Sequence, residues 1–160
     1  MTHALVLLLA LLIGVIAGLR AMTAPAVVAW GAMLGWIDVG DKWSEWMAHP
    51  VTVTVLTILL LGELVTDQLP KTPSRKVPVQ FVARLISGAF AGAVIGSAFF
   101  HTFSAAGAGV VGAVLGTLGG AALRSRVAEA NNGNDRPGAF GEDVLAVGGG
   151  LLVAFLVGLL

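Results

Sequence analysis

The chain has 160 residues, 57% of them hydrophobic and only 11% charged, with a mean hydropathy of +0.93 and a formal net charge of zero. A soluble domain carries roughly 45–50% apolar and about 25% charged residues; no soluble chain of this length hides so much apolar surface, so lipid is the expected solvent for most of it. The zero balance gives no electrostatic case for nucleic acid, and the lack of cysteine excludes disulfides, thiolate metal sites and thiol nucleophiles.

In chain order, apolar segments run over about 3–19, 24–37, 50–66, 79–100, 106–124 and 143–160. The first has no basic residues ahead of it, and the apolar chain resumes directly after Arg20, so it reads as a mature helix rather than a signal peptide. Segment 24–37 is short against the ~20 residues of a spanning helix; it is a short or tilted helix, or a re-entrant half-helix. Between Asp38 and His49, Trp43, Trp46 and Met47 alternate with charges, as expected of an amphipathic turn with tryptophans at headgroup level. Pro50 opens the next helix at its first position, where its missing N–H costs nothing. The run Leu69–Pro78 holds three prolines and reads as an extended loop. Asn131–Gly138 reads as a polar surface loop. A single transmembrane domain, residues 1–160, is expected.

Orientation follows from the basic residues. Arg20, Lys71, Arg75, Lys76, Arg84, Arg124, Arg126 and Arg136 lie in or beside alternate connections, and only Lys42 lies in the other set. Because basic residues stay on the cytoplasmic side of short loops, six crossings with both termini outside are expected. The alternative is five crossings with 24–37 re-entrant.

Many of the 22 glycines are periodic. Gly88, Gly92 and Gly96 recur at every fourth residue, as do Gly112, Gly116 and Gly120, with shorter pairs at Gly14/Gly18 and Gly31/Gly35. Spacing of four puts them on one helix face, and small residues let helix backbones approach closely in lipid. The fourth and fifth helices are expected to form a tight antiparallel hairpin. Gly148-Gly149-Gly150 predicts a local break or hinge in the last helix, since each glycine weakens a helix by roughly 1 kcal/mol relative to alanine.

Ionisable groups in or near a span are expensive and tend to be functional. Arg84 lies four residues before Gly88 and Arg124 four after Gly120, so each shares its helix's glycine face at the cytoplasmic end. The two guanidinium groups should approach one another and need an anionic partner. Glu63 and Asp67 share a face at the end of the third helix, while Glu142 and Asp143 are expected to begin the last, where carboxylates suit the helix dipole. Arg20 sits between Gly18 and Pro25 at a helix break whose free N–H groups suit an anion. Two readings follow. Either the charges pair off and lock the bundle, or Arg20, Arg84 and Arg124 attract an anion while Glu63 and Asp67 serve a cation or proton. The scattered His3, His49 and His101 have no metal-ligand spacing, and no catalytic motif or cofactor-binding pattern is present.

Gly18-Leu19-Arg20 with Pro25, the run Glu63-Leu64-Val65-Thr66-Asp67-Gln68-Leu69-Pro70, the small-residue hairpin ending in Arg124, and Glu142-Asp143-Val144-Leu145-Ala146 resemble a bacterial membrane-protein family, domain of unknown function four-one-two-six. The resemblance spans most of the chain. It implies a small polytopic inner-membrane protein and brings no substrate or activity with it. The expected fold is an all-α membrane bundle, and the expected assembly a homodimer. The leading functional expectation is a channel or transporter for a small ion or anionic solute. The alternative is a non-transporting protein that binds membrane lipids or scaffolds an assembly.

Overall fold

The computed structural model describes residues 2–66, 77–130 and 136–160. Among them are six helices and no strand: α1 (Thr2–Leu19), α2 (Thr23–Met33), a 3₁₀ turn (Glu45–Ala48), α3 (Pro50–Thr66), α4 (Pro78–Ala98), α5 (Thr102–Ala130) and α6 (Arg136–Val157). In α4, α5 and α6 the runs Pro78–Ala98, Thr102–Ala130 and Gly138–Val157 are long and apolar enough to cross a membrane, whereas α1, α2 and α3 are shorter apolar helices. At 1.5 Å per residue α5 is about 44 Å long and α2 about 16 Å, against a hydrocarbon thickness of ~30 Å.

Glycine organises the tightest part of the bundle. A Cβ added at Gly88 would lie 2.7 Å from the Gly109 carbonyl oxygen, one at Gly92 would meet Ala105 and one at Gly96 would meet His101. These pairs close as an antiparallel hairpin of α4 on α5. α1 joins it in a way the sequence did not announce. Gly14 faces Gly109, Gly18 faces Ala113 to Thr117, and Gly112 and Gly116 face Leu11 and Val15, so α1 runs parallel to α5. The result is a three-helix core in which backbone touches backbone.

α2 begins where it does because of Pro25. A proline ring clashes with the carbonyl four residues earlier, so a helix cannot run unbroken through Ala21 to Pro25. The chain turns at Arg20–Met22 and restarts at Thr23. The helix stops in a Schellman motif. Gly35 takes φ +75°, Trp36 N–H donates to the Gly31 carbonyl at 2.8 Å, and Gly35 N–H donates to Ala32 at 3.2 Å. Nine of its eleven residues are buried, from Thr23 through Ala29 and at Gly31 and Ala32. It packs against α3, α4, α6 and the 3₁₀ turn.

The segment after α2 is held down by buried Ile37, Val39 and Met47, and by a 2.7 Å hydrogen bond between the Ser44 and Ser97 hydroxyls. Irregular backbone is tolerated at membrane depth only when covered in this way. Trp43 and Trp46 stay half-exposed with their rings near Phe90. At the same end His3 and His101 stack with ring centroids 4.1 Å apart, a pairing that their distance in sequence conceals.

Two local expectations are corrected. α6 passes through Gly148-Gly149-Gly150 without a break; a Cβ at Gly150 would meet Val27 at 3.1 Å, so at least that glycine serves close packing on α2. α6 also starts at Arg136 rather than near 143, with Pro137 in its first turn where proline is tolerated. Glu142 and Asp143 therefore lie in its second turn, buried against the bundle, and not at its N-terminus.

Candidate functional site

The charged side chains converge on the α1–α2 turn, Gly18–Thr23. A helix end leaves carbonyls without partners, and the following helix start leaves N–H groups without partners. In lipid both must be satisfied by the protein itself. No side chain of the turn caps α2, and Thr23 Oγ1, fully buried, has no hydrogen-bond partner among the described residues. The partners come from elsewhere in the chain.

Arg84, 3% exposed, reaches from α4 to the end of α1, where its Nη1 donates to the carbonyls of Gly18 and Leu19 at 2.6 Å each. One turn further along α4, Ser87 Oγ donates to the Ala21 carbonyl, the same carbonyl that Pro25 bars from a helical bond. Thr117 on α5 donates to the Gly18 carbonyl at 3.3 Å and to its own helix at Ala113 at 2.8 Å. From α3, the Glu63 carboxylate accepts the N–H groups of Ala21 and Met22, both at 2.8 Å. The turn is thus held on its carbonyl side by α4 and α5 and on its amide side by α3.

Arg20, fully buried, points away from these clamps and pairs with Asp143 of α6. Arg124 and Glu142 form a looser ion pair at 3.9 Å where α5 and α6 approach. Where Arg84 and Arg124 are expected to meet over a shared anion, the described residues show one partner set for each: backbone carbonyls for Arg84 and Glu142 for Arg124. Arg20, Glu63, Arg84, Arg124, Glu142 and Asp143 all lie at the one end of the bundle. Asp67 lies outside the described residues. The anion expected at the start of α2 is supplied by the protein's own Glu63. Gly88, Gly92, Gly96, Gly112 and Gly116 stand in the helix contacts described above, and Gly120 is buried on the same face of α5.

Sequence reasoning missed Ser87, Thr117, Thr66 and Gln80. Ser87 and Thr117 carried a faint signal, being hydroxyls next to Gly88 and Gly116 on faces otherwise made of small residues.

α3 packs on α2 and on the 3₁₀ turn and makes almost no contact with α4. The gap is a cleft of about 230 Å³ lined by Ala21, Met22, Glu63, Thr66, Gln80, Ala83 and Arg84. The turn is its floor, and α3 and α4 are its walls. Outward of it, Val65 on α3 and Val79, Val82 and Ile86 on α4 are exposed. Among the described residues the cleft therefore mixes polar and apolar groups within and is apolar at its rim.

The family model described as "Domain of unknown function (DUF4126)" matches residues 7–159. No curated protein and no solved structure matches the chain.

Proposed function

Because the chain belongs to the DUF4126 family, whose description assigns no activity, we propose its function from the geometry: it binds a membrane amphiphile, headgroup first, in the cleft between α3 and α4. The observation that carries this reading is the cleft itself, with Glu63, Arg84, Gln80 and Thr66 inside and exposed valine and isoleucine at its edge. Small-molecule sites combine a concave surface with a few convergent polar groups. A pocket with polar groups inside and apolar residues at its rim fits a molecule with a polar head and hydrocarbon tails. The basic connections favour the cytoplasmic side of a bacterial inner membrane for this end of the bundle, and α1 and α2, joined at the turn, are the first of three hairpins in this reading. A homodimer belongs to the same reading.

The chain folds without the ligand in this reading, since each clamp on the turn is internal. Binding is separable from stability at Ala83, which is exposed on the cleft wall. Native mass spectrometry of the protein extracted in mild detergent should reveal retained lipid and report the oligomeric state. Ala83→Trp should strip the lipid while leaving the helix content and the unfolding temperature of the delipidated protein unchanged. Lipid retained equally by the Trp variant would remove the cleft from consideration.

Transport of a small solute is the second reading. One observation favours it: α1 and α2 form a discontinuous pair whose broken ends meet a buried arginine and a carboxylate, an arrangement transporters use at their binding sites. The close backbone contacts of α1, α4 and α5 leave no room along the glycine faces, which weighs against a path there. The chain has no cysteine, so Thr117→Cys gives a clean probe. Labelling of that thiol by a membrane-impermeant reagent would shift the balance to transport.

A further inference from the structure

We infer that the tip of the α4–α5 hairpin is a lipid anchor, which buries the rings of Phe100 and Phe103 in the bilayer boundary opposite the α1–α2 turn. This rests on α4 and α5 crossing the membrane and is independent of the cleft. The hairpin turn is short because the glycine contacts reach almost to its end: a Cβ at Gly96 would meet Ala105 and would lie 2.7 Å from the His101 carbonyl oxygen. α4 stops in the same motif that ends α2. His101 N–H donates to the Gly96 carbonyl at 2.8 Å, and Phe100 N–H donates to the Ser97 carbonyl at 3.4 Å. In α2 the left-handed position of the motif holds Gly35; in α4 it holds Phe100, at φ +60°.

A bulky residue in the left-handed region is an outlier, because its Cβ crowds the following carbonyl oxygen. Packing within the chain does not offset that strain. Phe99 lies against the core, but Phe100 is 88% exposed and Phe103, one turn further on, is 92% exposed. These are the highest values among the described large hydrophobic residues. Facing water, the tip would be unfavourable twice, in backbone strain and in hydration of two rings. Facing lipid, it recovers the second.

Length and charge point to lipid as the cover. α4 has 21 residues, about 31 Å at 1.5 Å each, which matches the ~30 Å of a hydrocarbon core. A span of that length leaves the tip where acyl chains give way to headgroups. Lys42 marks the same level. Its ammonium stands 5.9 Å from the Phe100 ring centroid, within cation–π range. It is also held by Asp38 at 3.4 Å and by the Gly40 carbonyl at 3.3 Å. An exposed ion pair of this kind belongs among headgroups and not in hydrocarbon. Aromatic rings beside a lysine at the end of a span have the composition of a membrane boundary.

The chain has no cysteine, so Phe100→Cys and Phe103→Cys can each carry a single nitroxide label in the full chain. The labelled protein is reconstituted into vesicles of phosphatidylethanolamine and phosphatidylglycerol. Collision with oxygen, which concentrates in lipid, is compared with collision with a water-soluble nickel chelate. Glu45→Cys, exposed on the 3₁₀ turn, serves as the aqueous reference. Both tip labels should invert the reference ratio, with oxygen exceeding nickel. Phe103→Trp keeps a ring and needs no label. Its fluorescence should be quenched by lipids brominated near the headgroup end of the acyl chain, beyond the quenching of the unsubstituted chain. A ratio at either tip position equal to that at Glu45 would overturn the anchor, since the rings would then face water. Exclusion of both reagents with an immobilised spectrum would also overturn it, by showing a second copy or another protein over the tip. Neither result alters the lipid loss expected of Ala83→Trp, so the cleft reading stands or falls separately.

Discussion

α3 and α5 are both apolar helices of one small bundle, and the more hydrophobic of the two is the less firmly held. α3 buries only Val53 and Leu60, and it presents Val51, Val55, Ile58, Leu59, Leu61 and Val65 outward. α5 is poor in large residues, yet it buries Ala105, Gly109, Gly112, Ala113, Gly116, Thr117 and Gly120 against two neighbours. In water the greasier helix would be the one at the centre. In lipid an exposed leucine costs nothing, and association depends on how closely backbones can approach. Polar contacts fasten α3: Glu63 on two backbone amides at the turn, and, further along, Thr57 accepting a 3.0 Å bond from the Trp30 indole.

The contrast can be broken most severely at Gly109, which faces Gly14 on one side and Gly88 on the other. Gly109→Leu should cost at least about 3 kcal/mol, the upper range for forcing bulk into a packed core, and should abolish recovery of folded protein from detergent. Gly62→Leu on α3 has open space beside it and should not destabilise at all, the gain in helix propensity being up to about 1 kcal/mol. Equal effects from the two would show that the glycine contacts are not what holds the trio together.

Next in size is the buried ion pair. Asp143→Ala leaves the Arg20 charge in the interior without its α6 carboxylate, a change worth about 3–5 kcal/mol. Denaturant titration in micelles should show it, and the double variant with Arg20→Met should recover part of the loss. Glu63→Gln is milder. It keeps one carbonyl acceptor and sets an NH₂ group against a backbone N–H, for about 1–2 kcal/mol. Its signature is local: amide exchange should rise in α3 and in the turn, and stay unchanged in α1, α4 and α5. The smallest effect runs the other way. Gly148 sits in an uninterrupted helix with open space beside it, so Gly148→Ala should stabilise by up to about 1 kcal/mol, measured as a raised midpoint.

Much of this was legible in the sequence. Apolar runs and proline positions placed six helices, and the four-residue glycine spacing of α4 pointed to the α4–α5 contact, whereas Gly112 and Gly116 of α5 meet α1 instead. The partners of the charges were not legible. Arg20 and Asp143 are 123 positions apart, and only the parallel docking of α1 on α5 and the antiparallel docking of α6 bring them together. α1 hid its role in the core because Gly14 and Gly18 make only one repeat. Arg84 and Glu63 looked like groups awaiting a ligand. Pro25 breaks the helix ahead of it, and the groups thus exposed claim both side chains. The start of α6 was missed because glycine and proline in Arg136-Pro137-Gly138 read as loop, although proline also suits a first helical turn.

The burial of α2 has a consequence in time. It is made second and covered last, because one of its packing partners, α6, begins about 100 residues after α2 ends. At about 5–20 residues per second, that interval is roughly 5–20 s of synthesis. Through it an eleven-residue helix, too short to span the hydrocarbon alone, must wait with its α6-facing side uncovered. Whatever occupies that side meanwhile, lipid or an insertion factor, has to leave before Arg20 can close on Asp143. Closure of that pair is therefore a natural marker for completed assembly of the chain.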